Sequence, residues 1–208
     1  MPYGYTGQNL INQTVKNSGV FSISDVADLE KQGKFGGSLE LIEEQTASAD
    51  SAIDFTNLKG EKFDVHLLEF IDISSSIDNE QIQVRFSNDS GSTYETTNYQ
   101  YAFQQGNASG SFNEVKSTSD NAIDVSNPIG NATNEKGNAY CYLYNLNNSS
   151  KYSFVTQQSA LQSNSNVLTF TFGGGVYAVA ETINAIRVLL DNSSNISGTI
   201  KLYGVKQI

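Results

Sequence analysis

The chain has no tryptophan, one cysteine (Cys141), one histidine (His66) and only two prolines in 208 residues. A single cysteine excludes a disulfide framework within the chain, and at this length one core buries about 70% of the unfolded surface without such staples. An unpaired thiol fits folding in a reducing cytoplasm. One His and one Cys also fall short of a structural zinc site. Nowhere does the sequence approach the ~20 consecutive apolar residues of a membrane-crossing helix, and its longest apolar clusters, 176–180 and 186–190, are strand-sized. The opening Met1-Pro2-Tyr3-Gly4-Tyr5 lacks the charged and apolar stretches of a secretory signal. No basic run of five or more residues occurs, and the formal net charge is −10. Nucleic-acid affinity comes largely from Lys and Arg displacing counterions, so DNA, RNA and membrane partners are not expected.

What the sequence has is alternation. Ile82, Val84 and Phe86 interleave with Gln81, Gln83 and Arg85, the period-two pattern of a half-buried strand. Phe63, Val65 and Leu67 alternate with Asp64 and His66, and the pattern then blurs through Leu68, Phe70 and Ile71, which a bulge or burial on both faces explains. Tyr140, Tyr142 and Tyr144 alternate with Cys141 and Leu143, and Leu168, Phe170 and Phe172 share one side of their segment. Residues 185–190 and 198–205 read as two strands joined through a turn-rich hairpin link, 191–197. Further strands are expected at 38–45 and 51–56, with weaker ones at 111–116 and 122–125. About nine or ten short strands between Asn/Ser/Gly links predict an all-β antiparallel β-sandwich or barrel. Segments 104–110 and 127–138 read as surface loops crowding one end, and Gly173-Gly174-Gly175 as a turn or bulge.

One segment is different. Residues 24–33 carry an N-cap serine (Ser24), early acids and a terminal Gly33, the signals of a short helix with Val26 and Leu29 on its apolar face. Residues 1–36 therefore read as an N-terminal arm and 37–208 as the β domain, jointed at Gly36-Gly37. An arm with few core-forming residues needs a neighbour to hold it. Val20, Phe21, Val26, Leu29 and Phe35 are its candidate assembly contacts.

Catalytic machinery is thin. His66 sits mid-strand, and no G-x-S-x-G elbow surrounds a serine. The acidic pairs Glu43–Glu44 and Asp78–Glu80 read as solvated charges. The run from Asn88 to Glu95 has oxygens for calcium but not the spacing of a calcium loop, so a hairpin turn is the better reading. No catalytic residue, metal or cofactor is expected. Tyr99, Tyr101 and Phe103 share a strand face and are the candidate contacts of an alternative glycan-binding reading, set against core or interface packing.

Three stretches resemble segments of tailed-phage virion structural proteins. They are Gly19-Val20-Phe21-Ser22-Ile23-Ser24-Asp25-Val26 continued by 29–35, then Val84-Arg85-Phe86-Ser87-Asn88-Asp89-Ser90-Gly91-Ser92-Thr93-Tyr94, and the closing 179–187 followed by Ser197-Gly198-Thr199-Ile200-Lys201-Leu202-Tyr203-Gly204-Val205. The resemblance implies a jelly-roll-like sandwich, often trimeric, in a capsid-decoration protein or a tail-fibre or short tail appendage. It implies major capsid or tail proteins as partners, and localisation in the virion after synthesis in the host cytoplasm.

Overall fold

The computed structural model describes residues 22–31 and 37–206. They fall into two units, divided between Ser38 and Leu39. The first contains one helix, α1 (Ile23–Lys31). Its cap is Ser22 rather than Ser24: the Asp25 backbone N–H donates to Ser22 Oγ at 3.1 Å, and the Ser22 backbone N–H donates to Asp25 Oδ2 at 2.9 Å. This reciprocal pair satisfies two N–H groups that the first turn leaves without helical partners. Of the expected assembly contacts, Val26 and Leu29 lie on α1, half-buried; Val20, Phe21 and Phe35 lie outside the described residues.

The second unit is an all-β sandwich. Its strands are β1 (Leu39–Asp50), β2 (Ile53–Phe55), β3 (Val65–Ser75), β4 (Ile82–Ser87), β5 (Tyr99–Asn107) and β6 (Phe112–Asp120). They continue as β7 (Ile123–Asp124), β8 (Gly137–Tyr144), β9 (Ser153–Gln162), β10 (Leu168–Tyr177), β11 (Ala185–Leu190) and β12 (Ile196–Val205). One sheet runs β1-β12-β3-β8-β9-β10-β5-β6 and the other β2-β11-β4-β7, with antiparallel pairing throughout. Within this order β1 pairs with β12, β2 with β11, β3 with β8 and β4 with β7. That is a long hairpin rolled so that successive pairs enter alternate sheets, the jelly-roll topology. The β5–β6 and β9–β10 hairpins are additions that widen one sheet only.

Between the sheets lies a continuous apolar core. At its centre Phe86, from the smaller sheet, meets Tyr99 and Tyr177 of the larger one, with ring centroids 5.0–6.1 Å apart. The buried Tyr99 hydroxyl accepts the Phe86 backbone N–H at 2.8 Å, so the polar tip of the ring is matched.

Several local expectations change. Inward-facing residues of β3 are His66, Leu68 and Phe70. Leu67 is buried on the opposite face and Phe63 is buried ahead of the strand, so the segment is partly buried on both faces, and a register shift between Phe70 and Ile73 adds an irregularity. The 191–197 link is a crossover, since β11 and β12 belong to different sheets. The same holds for Asn88–Tyr94, which leads from β4 in one sheet toward β5 in the other. Strand β9 was invisible to alternation because its inward set, Ser153, Val155, Gln157, Ser159 and Leu161, is largely polar. Residues 104–107 continue β5, leaving 108–111 as the turn, and Ser109 of this turn and the Asn127–Pro128 segment line a common pocket.

Gly173-Gly174-Gly175 is strand, not turn. It lies inside β10 and pairs with β5 on one side and β9 on the other. A Cβ on Gly173 would run into the Ala102 carbonyl and Phe103, and one on Gly175 would lie 2.7 Å from Ile123 and 2.9 Å from the Gln100 carbonyl. The absent side chains leave room for Tyr101 and Phe103, which stack with centroids 5.9 Å apart. Gly175→Val should therefore destabilise the fold by about 1–3 kcal/mol through overpacking, read as a fall of several degrees in Tm. Gly37→Ala, with open space around it, should leave the Tm unchanged.

Candidate functional site

Residues considered for catalysis do not form a catalytic group. His66 is fully buried in the core-facing row, not on an outer face, with Nε2 2.7 Å from the Leu58 carbonyl, and burial lowers its pKa. Cys141 is also fully buried, which pushes its thiol pKa far up, so no thiolate is present to act as nucleophile. Asp89 accepts Ser87 Oγ at 2.7 Å, the Thr93 backbone N–H at 2.9 Å and Thr93 Oγ1 at 2.7 Å, and these bonds hold its pKa down at about 2. Its oxygens hold the loop together through these bonds. Among the described residues no group of three or more His, Cys, Asp or Glu is placed to hold a metal.

The aromatic trio nominated for glycan contact turns inward together. Tyr99 and Phe103 face the core and are buried, leaving no exposed platform, while Tyr101 is half-buried with its hydroxyl 3.3 Å from Asp120.

Two surfaces stand out instead. The first is the outer face of the larger sheet. The adjacent strands β8, β9, β10 and β5 contain no Asp, Glu, Lys, Arg or His, in a chain carrying 22 acids and 12 bases. Their outward residues include Tyr140 (42% exposed), Phe154 (45%) and Phe172 (51%), with Phe112 (69%) beside them on β6. The register places Tyr140 beside Gln158 and Gln158 beside Phe172, and Tyr140 Oη donates to Gln158 Oε1 at 2.6 Å. Small residues at Asn138 and Ala160 leave a groove of about 380 Å³ between Tyr140, Ile71 and Phe170. Charges return only at the flanks, with Glu69 and Lys201 on one side and Glu114 and Lys116 on the other. Alternation had separated the tyrosines from Cys141 and Leu143 but gave no indication that β9 and β10 would extend them into a surface.

The second surface is a polar basin of about 850 Å³ over the outer face of the smaller sheet. Its floor has two cross-strand rows: Asp54–Arg187–Arg85 and Leu189–Gln83–Asp124. Arg187 forms a bidentate pair with Asp54, both contacts at 2.7 Å, and its guanidinium lies 4.0 Å from the centre of the Tyr94 ring. Gln83 Nε2 donates to Asp124 Oδ1 at 2.8 Å, and burial raises the Asp124 pKa. Arg85 bonds the Asn121 carbonyl and Oδ1, each at 2.9 Å.

Beside the basin, Glu80 is buried and held by Asn192 Nδ2 at 2.9 Å. Burial, followed by a hydrogen bond shared with Asp191, raises its pKa to about 7.

Comparison with protein-family models, curated proteins and solved structures returned no match.

A carboxyl whose pKa is raised on folding stabilises the fold while it is protonated. Its contribution fades as pH rises from about 4.5 to 7. His66, with a lowered pKa, acts in the opposite sense below its ordinary value of 6.5. Between pH 5 and 8, the stability of wild type relative to Glu80→Gln should therefore fall by on the order of 2 kcal/mol, measured as the difference in urea midpoints. A pH-independent difference would contradict the assignment.

Proposed function

We propose that the protein is a non-enzymatic structural subunit of a tailed-phage virion, a capsid-decoration protein or short tail appendage, that assembles with copies of itself and with major capsid or tail proteins. The observation that carries this reading is the uncharged aromatic face on β8, β9, β10 and β5. Contiguous exposed apolar surface marks association sites, and aromatic residues with few charges characterise interface centres.

Charge argues for a second copy of this chain as the occupant. Two subunits of net charge −10 repel, and the broad neutral face is where they meet with the least repulsion. Four strands about 4.8 Å apart and up to ten residues long span roughly 600 Å² in projection. Side-chain relief brings this near the ~800 Å² each partner contributes to a standard interface. Lateral edge pairing is disfavoured, because β1 carries Glu40, Glu43 and Glu44 with register shifts, and β6 carries Glu114 and Lys116. Such charges and bulges guard sheet edges against addition of further strands. A closed trimer is the favoured assembly, following the family resemblance. The arm, residues 1–36, adds a second contact through Val20, Phe21, Val26, Leu29 and Phe35.

Light scattering of the purified protein tests this. Wild type should be oligomeric at micromolar concentration, and Phe154→Glu/Phe172→Glu should be monomeric with an unchanged β-type circular dichroism spectrum. A monomeric wild type, or a double variant that stays oligomeric, would sink the proposal.

A further inference from the structure

We propose that the basin over the smaller sheet is a binding site for a neutral oligosaccharide, separate from the assembly face and independent of it. Its volume of about 850 Å³ falls within the roughly 300–1,000 Å³ of small-ligand sites.

The floor contains an arrangement that folding alone does not favour. Arg85 and Arg187 lie directly opposite one another on neighbouring strands, a position where like charges destabilise a sheet. Asp54 neutralises Arg187. Arg85 has no carboxylate within ion-pair distance among the described residues, and its partners are the carbonyl and side-chain oxygens of Asn121. A half-buried guanidinium whose hydrogen bonds go to Asn121 rather than to a carboxylate, beside a second guanidinium, is a local conflict of the kind expected at binding sites.

The mixture of signs selects the ligand. Asp120, Asp124 and Asp191 bring acceptors to the basin, while Arg85 and Arg187 bring donors. A phosphate or carboxylate ligand would satisfy the arginines and be repelled by three carboxylates. An ammonium ligand would have the reverse difficulty. A sugar hydroxyl both donates and accepts, so a row of hydroxyls matches both sets without introducing charge. Guanidinium, carboxylate and amide groups are planar two-point partners, suited to adjacent hydroxyl pairs. Leu189, in line with Gln83 on the floor, offers an apolar contact for the C–H face of a sugar ring.

The site is also held in place before any ligand arrives. Asp54 and the Tyr94 ring clamp Arg187, Gln83 fixes Asp124, and Asn121 fixes Arg85. Ordering these side chains in advance lowers the entropic cost of binding.

An array of neutral, uronic and sialylated oligosaccharides, probed with the labelled full-length protein, tests the assignment. Neutral oligosaccharides should be retained, and titration calorimetry with the best of them should show about tenfold or greater weakening in Arg85→Gln and in Asp120→Ala. Both variants should remain folded at the assay temperature, with the wild-type circular dichroism spectrum. Phe154→Glu/Phe172→Glu should bind as wild type, so loss of assembly and loss of binding are read separately. Retention of anionic glycans alone, of no glycan, or of neutral glycans with unchanged affinity in both basin variants would overturn the proposal.

Discussion

The packing of the two inner sheet faces against each other is the constraint on which the rest of the structure depends, and it is tightest where Phe86 meets Tyr99 and Tyr177. Aromatic side chains bury about 150–250 Å² each, so these three contribute heavily to the apolar burial holding the layers together. Tyr99 also ties the layers by a hydrogen bond, accepting the Phe86 backbone N–H. Because β4, β5 and β10 contribute one ring each, the cluster also positions the added hairpins on the rolled eight-strand framework.

Those hairpins produce the asymmetry that gives the domain its two surfaces. They widen one sheet to eight strands while the other keeps four. On the inside, part of the added area is polar: Ser159 Oγ lies 2.6 Å from Thr171 Oγ1, which donates to Gln157 Oε1 at 2.9 Å. On the outside, β9 and β10 carry the tyrosine row of β8 outward into a neutral aromatic face. The β5–β6 hairpin meanwhile brings Tyr101 and Asp120 to the side of the smaller sheet, turning its polar outer face into a walled basin. One pair of additions thus serves both proposals.

Much of this was legible in the chain. Period-two alternation located most strands, including the faces of β4 and β8. Helix α1 was legible from its composition, but its cap was displaced by two residues. Asp25 is an acid at the third helical position, and Ser22 stands three residues before it, which is the spacing a capping box requires. The candidate surfaces were less legible. Tyr99, Tyr101 and Phe103 looked like a candidate platform because a shared strand face does not say whether that face meets solvent or another sheet.

The sequence by itself determined the period of most strands, the neutrality of four of them and the single His and Cys, because these are properties of residue type and local spacing. Tertiary structure decided which strands are neighbours. The segments after β4 and β11 have turn chemistry that fits a hairpin or a crossover equally well, and the packing of two apolar faces selects the crossover. It also turned β3 so that His66, Leu68 and Phe70 face inward, since a one-residue change of register exchanges the two faces of a strand. Arg85 and Arg187, about a hundred positions apart in the chain, stand opposite one another only because β4 and β11 pair in the smaller sheet.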